Sequence, residues 1–139
     1  KAVQRAVQFG DGWCPFFVAP GLSKLNQQSG ITSVEHLAEK IKMLRGMLDK
    51  AGRSGPFDIS IGPKPPQDRS KAEADRYLKA LGQLQAVGVN WSGVDLPHPS
   101  RAGYLENVQW FGEAIIAKLA SIKPEIREMM AATIKKLTK

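Results

Sequence analysis

Apolar residues recur three and four positions apart in three long stretches of this chain, and they gather into short unbroken runs between those stretches. In residues 33–51 the stripe is Val34, Leu37, Ile41, Leu44 and Leu48, the spacing of an amphipathic helix with one buried face. Thr32 and Glu35 stand at capping-box spacing, which predicts Thr32 as the N-cap, and Gly52 is placed to end the helix. In residues 69–87 the stripe is Ala74, Tyr77, Leu78, Leu81 and Leu84, closed by Gly88. A third helix is predicted from Arg101 to Leu119 through Tyr104, Leu105, Val108, Phe111, Ile115 and Leu119. Pro124 suits the first turn of a last helix, with Ile126, Met130, Ile134 and Leu137 on its inner face.

The apolar runs read as strands. They are Gly12 to Val18, Phe57 to Ile61 and Val89 to Leu96, each followed by Pro or Gly. None alternates cleanly, so all three fit strands buried on both faces, as in a parallel sheet. Strand and helix alternate along the chain, which predicts an α/β fold with about three parallel strands and amphipathic helices. The opening residues, Lys1 to Val7, read as the last turns of a helix entered partway, which leads us to expect further sequence upstream. Residues 20–30 form a long loop after the first strand, and Gly62 to Asp68 a second, Pro-rich one.

Composition changes this picture only slightly. Of the 139 residues, 42% are hydrophobic and 24% charged, ordinary for a water-exposed globular chain. No apolar run approaches the roughly 20 residues of a membrane helix, so no membrane partner is expected. One cysteine, Cys14, excludes an intrachain disulfide and fits a reducing, cytoplasmic setting; its apolar surroundings predict a small core residue. The net charge of +7 is uneven: residues 118–139 hold six basic and two acidic side chains. We therefore read residues 1–120 as the α/β body and 121–139 as a basic helix or tail. No aromatic residue is interleaved with the tail's lysines, so the stacking that single-stranded nucleic acid requires is missing, and nucleic acid is not an expected partner.

In α/β folds ligands sit at the carboxyl ends of strands, which directs attention to residues 95–101. Asp95 ends the third strand and is placed to orient a substrate or to pair with Arg101. His98 lies between Pro97 and Pro99, which hold the loop extended, and an imidazole there suits proton transfer or phosphate donation. Ser100 and Arg101 open a helix, where amides, hydroxyl and guanidinium together suit an anion; Ser100 is equally a plain N-cap. Trp13 could stack on a planar ring or simply pack; Trp91 and Trp110 are expected to pack, and His36 to lie at the surface. No Cys/His set has metal-ligand spacing, and Gly10, Gly12 and Gly21 do not form a dinucleotide fingerprint.

The segments Arg5-Ala6-Val7-Gln8-Phe9-Gly10-Asp11-Gly12-Trp13, Leu48-Asp49-Lys50-Ala51-Gly52-Arg53 before Ile59-Ser60-Ile61, and Gly88-Val89 leading to Asp95-Leu96-Pro97 together resemble the carboxyl-terminal part of the luciferase-like monooxygenase family, in its deazaflavin-dependent oxidoreductase branch. The resemblance spans about residues 1–120. It implies the carboxyl-terminal part of a TIM-type (β/α)8 barrel and a deazaflavin coenzyme or FMN at the carboxyl face. It also implies hydride or oxygen chemistry on a small organic substrate; beside that expectation, the residues read above stand as candidates, Ser100 and Arg101 for a phosphate, Trp13 for the cofactor, and Asp95 and His98 for the substrate pocket. No catalytic residue carries over, because the family's usual catalytic positions lie in its amino-terminal half. A barrel needs about 250 residues, so an apolar inner face and two sheet edges are left for a second copy or the missing half to cover, and little activity is expected of this chain alone. The alternative is a non-enzymatic, oligomerising α/β module whose basic tail docks an acidic partner or nucleic acid.

Overall fold

Two compact units make up the chain in a computed structural model that describes residues 1–18, 30–97 and 100–121. The first unit comprises Lys1–Gly62 and Gln83–Gly93; the second comprises Pro63–Gly82 and the residues from Val94 onward. The basic tail, and with it the predicted last helix at Pro124, lies outside the described residues.

The first unit is a parallel α/β layer. Helix α1 (Ala2–Phe9) turns at Gly10 into β1 (Gly12–Trp13), which is followed by β2 (Phe16–Phe17), β3 (Gly30–Ile31), α2 (Val34–Lys50) and β4 (Asp58–Ile59). Strand β1 pairs in parallel with β4, Gly12 against Asp58 and Trp13 against Ile59. Strand β2 pairs in parallel with β3, Phe16 against Gly30 and Phe17 against Ile31. A parallel bridge joins Ser60 to Trp91. The three predicted strands thus do contain parallel-paired segments, in chain order and adjacent, but the segments are much shorter than the apolar runs. Val94 and Leu96, read as strand from their hydrophobicity, belong to the second unit and lie outside its secondary-structure elements. Strand β3 was not expected; it lies where the sequence suggested only loop.

Helix α2 forms where its stripe predicts, and Leu37, Ile41, Leu44 and Leu48 are all buried. Its N-cap is Ser33, not Thr32: the Ser33 hydroxyl accepts from the His36 N–H at 3.1 Å. Thr32 instead meets the same residue's ring, its Oγ1 lying 3.1 Å from His36 Nδ1, which leaves His36 half-buried. Gly52, at φ +68, ends the helix, and the Arg53 N–H returns to the Leu48 carbonyl, a left-handed C-cap that glycine adopts without steric penalty.

One apolar cluster gathers Ile31, Leu37, Ile41, Ile59, Ile61, Leu84 and Val89; another gathers Val3, Val7, Leu44 and Leu48. Trp13 packs against both, so the helices cover the side of β1 and β4 that bears Trp13 and Ile59. The sheet is not apolar throughout, as the barrel expectation supposed. Asp58 and Asn90 are exposed and bonded to each other, Nδ2 to Oδ1 at 2.8 Å. Phe16, Phe17 and Trp91 are exposed at 51%, 39% and 62%. Cys14 is also exposed rather than a core residue.

In the second unit, helix α3 (Lys71–Ala86, whose last turn belongs to the first unit) places Ala74 and Tyr77 against Ile115. Helix α4 (Arg101–Phe111) runs through a π-turn at Gly112–Ile116 into α5 (Ala117–Ser121). The π-turn was not expected. Phe111, Ile115 and Leu119 face the core, while Tyr104, Leu105, Val108 and Ile116 are exposed. No helix among the described residues is long and apolar enough to cross a membrane.

Candidate functional site

Two loops define the site. One, residues 62–70, leaves the carboxyl end of the second parallel segment. The other, whose described residues are 94–97, follows the third. Within the second unit they meet α4 around a cleft of about 40 Å³ lined by Pro66, Gln67, Asp68, Leu96, Pro97, Asn107 and Trp110. Pro66 and Leu96 are buried, Trp110 and Asn107 half-buried, and Gln67, Asp68 and Pro97 exposed.

A dense polar network fixes the first loop. The Gln67 N–H donates to Glu73 Oε2 at 2.8 Å, and Gln67 Nε2 to the Pro65 carbonyl at 3.1 Å. Arg76 donates to both Glu73 oxygens and also reaches the Lys64 and Pro65 carbonyls at 3.2 Å. Its guanidinium, with the Gln67 N–H, holds the Glu73 carboxyl down at about 2. Asp68 accepts from the Ser70 N–H at 2.8 Å, and the Ser70 hydroxyl and N–H keep the Asp68 carboxyl below the usual range. Ser70 Oγ in turn accepts from the Glu73 N–H, so this turn is the start of α3. Arg69 ties the loop to α4 through Glu106 at 2.7 Å. The second loop is tied at the Pro97 carbonyl, which accepts from Asn107 Nδ2 at 2.6 Å. Both walls of the cleft are therefore held by bonds that exist without a ligand, a form of preorganisation.

None of the described site candidates singled out from sequence lines this cleft. Ser100 is the N-cap of α4: its hydroxyl accepts from the Gly103 N–H at 3.1 Å. Arg101 follows it, exposed, on the first turn. Asp95 is exposed and makes no ion pair with Arg101, so the expected Asp95–Arg101 pair does not form. His98 lies outside the described residues. Trp13 belongs to the first unit, where its ring joins the two apolar clusters.

Sequence reasoning did not find the cleft itself. Pro66, Leu96, Asn107 and Trp110 come from three separate stretches with no shared motif, and Trp110 was expected only to pack. The one usable signal was Pro63, Pro65 and Pro66 in a loop directly after a strand. Among the described residues no group of His, Cys, Asp and Glu is arranged to hold a metal ion. Compared with known proteins, the chain matches no family model, no curated protein and no solved structure.

Proposed function

We propose that this chain is one arc of a β/α barrel of the luciferase-like, flavin- or deazaflavin-dependent oxidoreductase type, whose strand-end loops contribute to a cofactor site completed by other polypeptide. The observation that carries this reading is the parallel pairing in chain order. Residues 12–13 pair with 58–59, and Ser60 bridges to Trp91, with α2 between the first and second segments and α3 between the second and third. Parallel neighbours joined through a helix are βαβ units, and repeated βαβ units with successive strands adjacent generate the β/α barrel.

The residues present fit part of a flavin-like cofactor. Its phosphate is matched by the N-terminus of α4 with Ser100 and Arg101, since helix N-termini and guanidinium groups both favour anions. Its ring is not matched by the cleft, whose volume is far below the roughly 300 Å³ of the smallest ordinary ligand pockets. In this reading the ring lies against polypeptide outside the described arc, and Trp13 serves the core.

The test is titration of FMN and of the deazaflavin coenzyme, followed by cofactor fluorescence, into the protein purified from its own cells with whatever completes the ring. Saturable binding of one of the two, weakened by Arg101→Ala, supports the reading. Binding of neither rejects it in favour of a non-enzymatic, oligomerising module.

A further inference from the structure

The cleft between the two loops has a chemistry of its own. Of the seven residues that line it, only Asp68 is ionisable. Its floor is apolar, formed by the buried Pro66 and Leu96, and Trp110 supplies an indole wall. The rim donors are committed to the protein: Asn107 Nδ2 bonds the Pro97 carbonyl, and Gln67 Nε2 the Pro65 carbonyl. Among the described residues none donates to the side-chain amide oxygens of Gln67 and Asn107. A carboxylate accepts at about four lone-pair sites, and the Ser70 N–H and hydroxyl leave part of that capacity on Asp68 unused. The rim is therefore rich in acceptors and negatively charged, beside an indole.

An indole and a carboxylate around an apolar notch favour a cation with a short apolar stem, because an indole's π-system and a carboxylate both attract positive charge. The volume, about 40 Å³, suits a group of about three or four heavy atoms. We propose that this cleft binds the head of a small organic cation, a primary alkylammonium, with Asp68 as its counter-charge and the Trp110 indole as its aromatic neighbour. The proposal concerns the second unit alone and does not rest on the oxidoreductase reading.

The probe is n-propylammonium chloride, with n-propanol as the neutral isostere and sodium chloride matching ionic strength, and no cofactor present. The readout is the indole N–H resonance of Trp110 in a nitrogen-labelled sample of the whole chain, assigned by its disappearance in Trp110→Phe. The expected result is a saturable shift with a dissociation constant on the order of millimolar, as small ligands of few atoms reach. Asp68→Asn should raise that constant about fivefold; the amide still offers Oδ1 to the Ser70 N–H, so the turn is kept. Asp75→Asn, the same charge change on an exposed residue outside the cleft, should leave the constant unchanged. A shift that fails to saturate, equal binding of n-propanol, or equal weakening by Asp68→Asn and Asp75→Asn would each overturn the proposal.

Discussion

Arg53 donates to the carbonyl oxygen of Val7 at 2.6 Å, across 46 residues of chain. The same Nη1 reaches the Gly10 carbonyl at 2.8 Å, and Nη2 pairs with Asp11 at 3.1 Å. One guanidinium thus satisfies carbonyls at the end of α1 that have no partner inside the helix, while lying over the Phe57 ring at 5.7 Å. Arg53→Ala should lower stability by about 2 kcal/mol, since hydrogen bonds to charged groups contribute about 1.5–3 kcal/mol. Arg53→Lys should recover only part of that, because an ammonium cannot span the two carbonyls in a fixed fork. Urea unfolding of the two variants measures both.

Asn90 continues the ladder with its side chain. Its Oδ1 accepts from the Ile59 N–H at 2.7 Å, and its own N–H and that of Trp91 both donate to the Ile59 carbonyl at 3.1 Å. Asn90→Ala leaves the Ile59 N–H without an acceptor and should cost about 1–3 kcal/mol. Amide hydrogen exchange at Ile59 should rise more than at Ile41, in α2, if the loss is local.

Glu73 makes stability pH-dependent in a known direction. Its carboxyl is lowered from 4.5 to about 2, first by the Arg76 hydrogen bonds and then by the Gln67 N–H. A group with a depressed folded pKa contributes stability that is complete above its unfolded pKa and is lost as pH falls through the folded one. The contribution should be present above pH 4.5 and fade toward pH 2. Denaturation midpoints of Glu73→Gln and the parent chain should therefore differ at pH 6 and converge as pH approaches 2.

Two glycines should respond oppositely to alanine. A Cβ at Gly62 would lie 2.3 Å from the Gly93 carbonyl oxygen, whereas one at Gly46 meets nothing within 4 Å. Gly62→Ala must push two backbones apart and should cost about 1–3 kcal/mol, as overpacking does. Gly46→Ala, in the middle of α2 (Val34–Lys50), should raise stability by about 0.5–1 kcal/mol through helix propensity. Thermal unfolding of the pair separates the two effects.

Helices α2 and α3 were legible because five apolar residues at helical spacing carry a strong signal, and Gly52 and Gly88, both at positive φ, mark their ends. The strands were legible in location and direction but not in extent, because an apolar run reports burial and not ladder pairing; Leu96 is buried at 7% without being in a strand. Strand β3 has two residues, too few for any period. Thr32 and Ser33 are adjacent hydroxyls, and the capping template chose the one whose side chain turns to the His36 ring instead. The stripe of α4 was legible from Phe111 onward and misled before it, where Tyr104, Leu105 and Val108 have helical spacing yet stay exposed, because periodicity reports a shared face and not what covers it. The cleft was invisible for a topological reason: its lining is assembled from two loops and a helix far apart in the chain.

Under the proposed reading, these parallel segments form an open arc that other polypeptide completes. Phe16, Phe17 and Trp91 in the first unit, and Tyr104, Leu105, Val108 and Ile116 in the second, are left exposed. Apolar surface in water is unfavourable by about 25 cal/mol per Å², so the 139-residue chain should associate. Sedimentation velocity over a dilution series from high to low micromolar should show a sedimentation coefficient that rises with concentration. A single species of monomer mass across the whole range would contradict the claim.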